Sequence, residues 1–103
     1  MQKVYLVIRE HELLTGTKEK YTDVVHICND EDLAVEYANS YIQDSIKDLL
    51  SAPHKYPVWT MNKYFEKEYL TSCRGCCYIS FEDNDSIVEM YSLKIEEHEV
   101  RED

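Results

Sequence analysis

The chain has 103 residues, with 11 basic and 21 acidic side chains, a formal net charge of −10 and 44% hydrophobic residues. That length fits one domain, residues 1–103, around one modest core, and two Gly and two Pro exclude disorder, collagen and a loop-rich disulfide scaffold. So negative a chain repels nucleic acid and anionic membranes, which argues against direct binding to either.

No apolar run reaches the length of a bilayer span. The amino end also lacks a basic segment followed by an apolar one, the mark of a secretory leader. The expected location is the cytoplasm. Lys3 to Glu10 reads as a first strand, with Val4, Leu6 and Ile8 on one face and Tyr5, Val7 and Arg9 on the other. Apolar content on both faces predicts an interior position in the sheet. Thr15-Gly16 marks a turn, and Lys20 to Cys28 reads as a second strand with Tyr21, Asp23, Val25 and Ile27 on one side. The pair predicts an antiparallel hairpin.

Asn29 to Leu50 carries the clearest pattern in the chain. Val35, Ala38, Ile42, Ile46 and Leu49 recur at steps of three and four, with Ala34, Tyr41 and Ser45 beside them, an apolar stripe of helical period. Asn29 is the expected N-cap, and Asp30, Glu31 and Asp32 fill the first turn, where unpaired N–H groups and the helix dipole favour negative charge. Ser51-Ala52-Pro53 stops the helix, because proline restricts the residue before it and lacks an N–H. A lone helix is marginal in water, so the stripe requires a sheet to cover.

The next segment, with Pro53 and Pro57, reads as a loop that folds Trp59 and Met61 down as core plugs. Residues 60–72 fit a helical stripe through Met61, Phe65 and Tyr69, and they also fit the alternation of a strand. The Tyr and Phe content favours the strand. Cys77 to Glu82 predicts a strand, Asp83 to Ser86 a turn, and Ile87 to Glu96 a last strand with Ile87, Tyr91, Leu93 and Ile95 inward and Glu89 the exception among them. The fold class expected is α+β: an antiparallel sheet of four to five strands, ββαββ-like, with one long helix packed across one face.

Cys73-Arg-Gly-Cys76-Cys77 pairs two thiols at a spacing suited to a metal or a small disulfide. His26 and Cys28 would complete a Cys3His zinc set with Cys73 and Cys76 if their strand lay near the cysteine turn. Without a second CxxC, the cysteines read first as reduced thiols beside a turn. Arg74-Gly75 looks like a hairpin tip, whereas a redox cysteine needs a helix N-terminus to lower its pKa. His11, His26, His54 and His98 stand at no relay spacing. Gly-x-Ser-x-Gly, a phosphate-binding glycine loop and HExxH do not occur. These absences point away from an enzyme, and no cofactor is expected.

What remains is acid and tyrosine. Asp30, Glu31, Asp32, Glu36, Asp44 and Asp48 face only Lys47 in residues 30–50, and Glu82, Asp83 and Asp85 cluster at the late turn. Nine tyrosines exceed what so small a core absorbs, and tyrosine is enriched at protein interfaces. Tyr37 and Tyr41, one helical turn apart, border the polar side of the helix. Carboxylates on rigid elements, interleaved with aromatics, imitate the charge of a nucleic-acid backbone.

With its KVYLVI strand, its NDEDLAVEYANSYI helix, few glycines and many acids, the chain resembles the small acidic proteins with which bacteriophages inhibit host defence, anti-CRISPR and DNA-mimic inhibitors among them. The likeness is of style, without a shared motif. It implies a non-enzymatic inhibitor, in the host cytoplasm, that occupies the basic groove of a nucleic-acid-binding protein such as a defence nuclease. The contacts expected are Asp30, Glu31, Asp32, Glu36, Tyr37, Tyr41, Asp44, Asp48, Glu82, Asp83 and Asp85. CRGCC is foreign to that style and keeps a second reading in view, a zinc-stabilised adaptor or thiol-redox factor. A third is a subunit of a larger assembly.

Overall fold

The computed structural model describes residues 2–72 and 74–101. Among them are five strands and two helices, in the order β1 (Gln2–Leu13), β2 (Glu19–Cys28), α1 (Glu31–Ser51), β3 (Val58–Met61), α2 (Lys67–Leu70), β4 (Cys76–Asp83) and β5 (Ser86–Val100). The strands form one sheet, β2-β1-β5-β4-β3, with every neighbouring pair antiparallel. The class is α+β, as the sequence predicts. None of the described helices is long and apolar enough to cross a membrane.

β1 and β2 form the expected hairpin, and β1 is interior, with β5 on its other side. One register slip changes which β2 residues face inward. Val7 pairs with His26 and Ile8 with Val24, so Val25 is the extra residue of a bulge. Beyond it His26 and Cys28 turn to the helix side, with Asp23 and Tyr21, and Ile27 is left on the opposite face, 61% exposed. The expected grouping of Ile27 with Tyr21 and Asp23 therefore fails: a single extra residue inverts the alternation.

α1 lies over one face of the sheet. Its N-cap is Asp30 rather than Asn29, since the Asp30 carboxylate accepts from the Leu33 N–H at 3.0 Å. Ala34, Ala38, Ile42 and Ile46 are its buried ridge, packed with Val7, Leu70, Tyr78, Ile79, Phe81, Leu93 and Ile95. Burying each large aliphatic side chain here is worth about 1.5–3 kcal/mol gross. Two small residues, Ala34 and Ala38, let the helix sit close to the sheet. Ser45 and the Tyr78 hydroxyl bond each other at 2.8 Å, a polar tie across this packing.

Asn39, which the pattern places on the polar side, is 5% exposed. Its carboxamide oxygen accepts from the Phe65 N–H at 2.9 Å and its NH2 donates to the Phe65 carbonyl at 3.0 Å. Both backbone groups of Phe65 are thereby used by a side chain, which is why residues 62–66 do not extend as the predicted strand. The strand ends at Met61, and the aromatic-rich sequence beyond it closes into the single turn of α2. Trp59 and Met61, expected as core plugs, are each 46% exposed, because β3 is the sheet edge that the helix leaves uncovered. Arg74-Gly75 is the turn from α2 into β4, not a hairpin tip. Gly75 has φ +71°, and a Cβ there would lie 3.2 Å from the Leu93 carbonyl oxygen.

The β4–β5 turn is a tight two-residue hairpin. Asn84 and Asp85 both have positive φ, +50° and +62°, the pattern of a type I′ turn, and Asn and Asp tolerate it better than most residues. β5 then runs the length of the molecule between β1 and β4. Asn39→Ala orphans the N–H and C=O of Phe65 in a partly buried setting, so denaturant unfolding should show a loss of about 2–4 kcal/mol. An exposed control, Ser40→Ala, should change stability by less than about 0.5 kcal/mol.

Candidate functional site

The acidic residues singled out from the sequence divide between the two ends of α1. Asp30 is spent as the N-cap, and Glu31 and Asp32 hold the Lys67 ammonium at 2.7 and 3.1 Å. This cluster is partly neutralised and has a structural use. At the rise of a helix, Asp48 lies about 24 Å further along the axis than Asp32. Glu36, Asp44 and Asp48 are exposed, and none has an ion pair among the described residues. Asp44 and Asp48 share one flank, whereas Glu36 is turned from Asp44 by about 80° round the axis.

The turn carrying Glu82, Asp83 and Asp85 joins the carboxyl-terminal end of the helix. The His54 ring donates to the Leu49 carbonyl and stacks on Phe81 at 4.4 Å, and the Glu82 N–H donates to the Pro57 carbonyl at 3.0 Å. Asp83 and Asp85 are exposed and Glu82 is half-buried. Asp44, Asp48 and this hairpin tip thus lie toward one end, and Asp30, Glu31 and Asp32 lie at the other. Tyr37 and Tyr41 are half-buried against the sheet: Tyr37 stacks on His26 at 3.9 Å and its hydroxyl donates to the Val25 carbonyl at 3.4 Å. The fully outward tyrosines are Tyr21, Tyr64 and Tyr69.

Between the Asp44–Asp48 flank and strands β1 and β5 lies a cleft of about 360 Å³, lined by Arg9, His11, Tyr41, Asp44, Ser45, Asp48, Leu49 and Tyr91. Its floor is preorganised. Glu89 Oε1 accepts from Tyr91 at 2.9 Å and lies 2.7 Å from His11 Nε2, and the His11 and Tyr91 rings stack at 4.1 Å. Burial, and then the bond to Glu89, push the Tyr91 phenol up from its ordinary value. Arg9 pairs with Asp23 across the hairpin. Asp44 and Asp48 in the lining, with Asp23 and Glu89 bonded to the lining residues Arg9, His11 and Tyr91, outnumber Arg9, so the cleft is rich in carboxylates. Its aromatic walls and carboxylate rim suit a cationic group.

The sequence offered one hint of this cleft. Glu89 broke the inward alternation of the last strand, and it does so as the shared acceptor of His11 and Tyr91. Arg9 and His11 carried no motif, and their meeting with Asp44 and Asp48 depends on how the helix crosses the sheet.

The Cys3His set is not assembled. His26 and Cys28 are on the edge strand β2, and Cys76 is on β4, three strands away, about 14 Å at the usual strand spacing. Cys73, the remaining candidate, lies outside the described residues. Among the described residues no group of three or more His, Cys, Asp or Glu side chains is placed to hold a metal ion. Burial, with the neighbouring Cys77 thiol, pushes Cys76 from 9.0 up to about 11, the opposite of what a nucleophilic thiol needs.

Two pH effects follow. At about pH 8 the Cys76 thiol should react with Ellman's reagent ~100-fold more slowly in the folded protein than in denaturant, because so much less of it is thiolate. Burial also raises Tyr78, to about 12. For both groups the folded pKa exceeds the unfolded one, so the stability they contribute is complete below about pH 9 and is lost as pH rises through about 11–12. Urea unfolding should give a lower stability at about pH 11 than at about pH 8, with a smaller drop in Cys76→Ala. No protein-family model matches this chain, and no curated protein or solved structure matches it either.

Proposed function

We propose that this chain is a non-enzymatic, acidic binding protein of the cytoplasm that inhibits a nucleic-acid-binding partner by occupying its basic groove. The observation that carries the reading is the placement of Asp44 and Asp48, exposed and without ion pairs among the described residues, toward the same end as Asp83 and Asp85 on a rigid hairpin. Four carboxylates held by a helix and a type I′ turn lose little entropy on docking. The cleft beside them accepts a partner lysine or arginine, whose charge meets the two aspartates and whose stem meets Tyr41 and Tyr91. Glu31 and Asp32, tied to Lys67, fall outside this contact set, as does Glu36 on its different flank. The resemblance to phage inhibitors of host defence makes a defence nuclease the first class of partner to test.

The test is a pull-down of tagged protein from bacterial lysate, with a salt gradient and competitor DNA. A nucleic-acid enzyme that elutes as salt rises and is displaced by DNA supports the reading. The double variant Asp44→Lys, Asp48→Lys should weaken that complex by about tenfold or more, with little change from Glu36→Lys and with far-UV circular dichroism intact. Unchanged affinity in the double variant would sink the proposal.

A further inference from the structure

The opposite flank of α1 carries a groove of different character. It measures about 630 Å³ and lies between the carboxyl-terminal half of α1 and the segment after β3, lined by Ile46, Leu50, Gln43 and Ser51 on the helix with Lys47 and Lys63 at its walls. The Asn39 clamp on Phe65, together with the Asn62 N–H donating to the Tyr78 carbonyl at 2.8 Å, holds the segment that bears Lys63 in place. In a chain of net charge −10, Lys3, Lys20, Lys67 and Lys94 have carboxylates within ion-pair distance, whereas Lys18 and Lys55, outside this groove, have none among the described residues. Lys47 and Lys63 have none among the described residues. Two unneutralised cations therefore face each other across an apolar floor.

β3, which leads into Lys63, adds a second feature. It is the outer strand of the sheet, its far backbone edge is unpaired by any described strand, and Val58, Trp59 and Met61 are exposed on it, as is Leu50 on the helix. An open edge beside an apolar groove is the geometry by which an extended segment adds a strand and buries alternate side chains. We propose that this flank docks an acidic, apolar peptide segment of a second protein, its backbone along β3, its apolar side chains over Ile46 and Leu50, and its carboxylates on Lys47 and Lys63. A basic segment is disfavoured by the same two lysines. This proposal does not rest on the function assigned to the Asp44–Asp48 flank, because the two surfaces lie on opposite sides of the helix.

The probe is a phage-displayed library of random peptides, panned on the immobilised full chain, with selected peptides remade and measured by fluorescence anisotropy. The result expected is enrichment of sequences that mix Asp or Glu with apolar residues. Their Kd should rise about tenfold or more in Lys47→Glu, Lys63→Glu and in Leu50→Asp, and stay unchanged in Asp44→Asn, Asp48→Asn. All five positions are exposed, and Lys63→Glu alone, outside the helix, serves should the helix weaken. Three results overturn the proposal: no enrichment over an unrelated protein of similar charge, selected peptides indifferent to the Lys47, Lys63 and Leu50 substitutions, or basic peptides that depend on Asp44 and Asp48. The last of these would strengthen the acidic-flank reading while removing this one.

Discussion

One helix has to cover a sheet that is wider than it is. Five strands at about 4.8 Å spacing span about 19 Å between the outer backbones, against a helix of about 10 Å with its side chains. The ridge Ala34, Ala38, Ile42 and Ile46 therefore settles over the middle of the sheet, where Val7, Leu93, Ile95 and Tyr78 complete a closed core. Everything at the margins follows from that shortfall. β3 keeps exposed apolar side chains, and each flank of α1 is left with a trough between helix and sheet.

The two troughs differ because the helix presents different residues to each side. Toward β1 and β5 it offers Tyr41, Asp44, Ser45 and Asp48, which meet Arg9, His11 and Tyr91. Toward β3 it offers Gln43, Ile46, Lys47 and Leu50, which meet Lys63. Asp44 and Lys47, three residues and about 60° apart round the axis, sit either side of the helix's outer crest, so each borders a different trough. The net charge of −10 thus conceals a local polarity, with acid on one flank and unpaired cations on the other.

Neutralisation within the fold sharpens that division. Lys67 absorbs Glu31 and Asp32 at the amino end of α1, and Lys94 lies between Glu10 and Glu96 on the face away from the helix. The exposed Lys67–Asp32 pair contributes little stability. Such pairs do decide which acids stay free, and Asp44, Asp48, Asp83 and Asp85 are among those without an ion pair among the described residues.

Much of this was written into the sequence by itself. The periodicity of residues 34–49 dictated a helix and its buried stripe, the alternation of Val4 to Arg9 dictated a strand inside the sheet, and Asp-Asn-Asp-Ser dictated a turn, because these depend on neighbours a few residues apart. Tertiary structure alone decided the rest. The bulge at Val25 turned His26 and Cys28 toward the helix, Asn39 reached across to take both backbone groups of Phe65 and so ended a strand, and strand order put Cys76 far from His26. It also brought Arg9, His11 and Tyr91 under Asp44 and Asp48. Each of these outcomes joins residues distant in the chain, where the energy lies in packing and hydrogen bonds that no local pattern encodes.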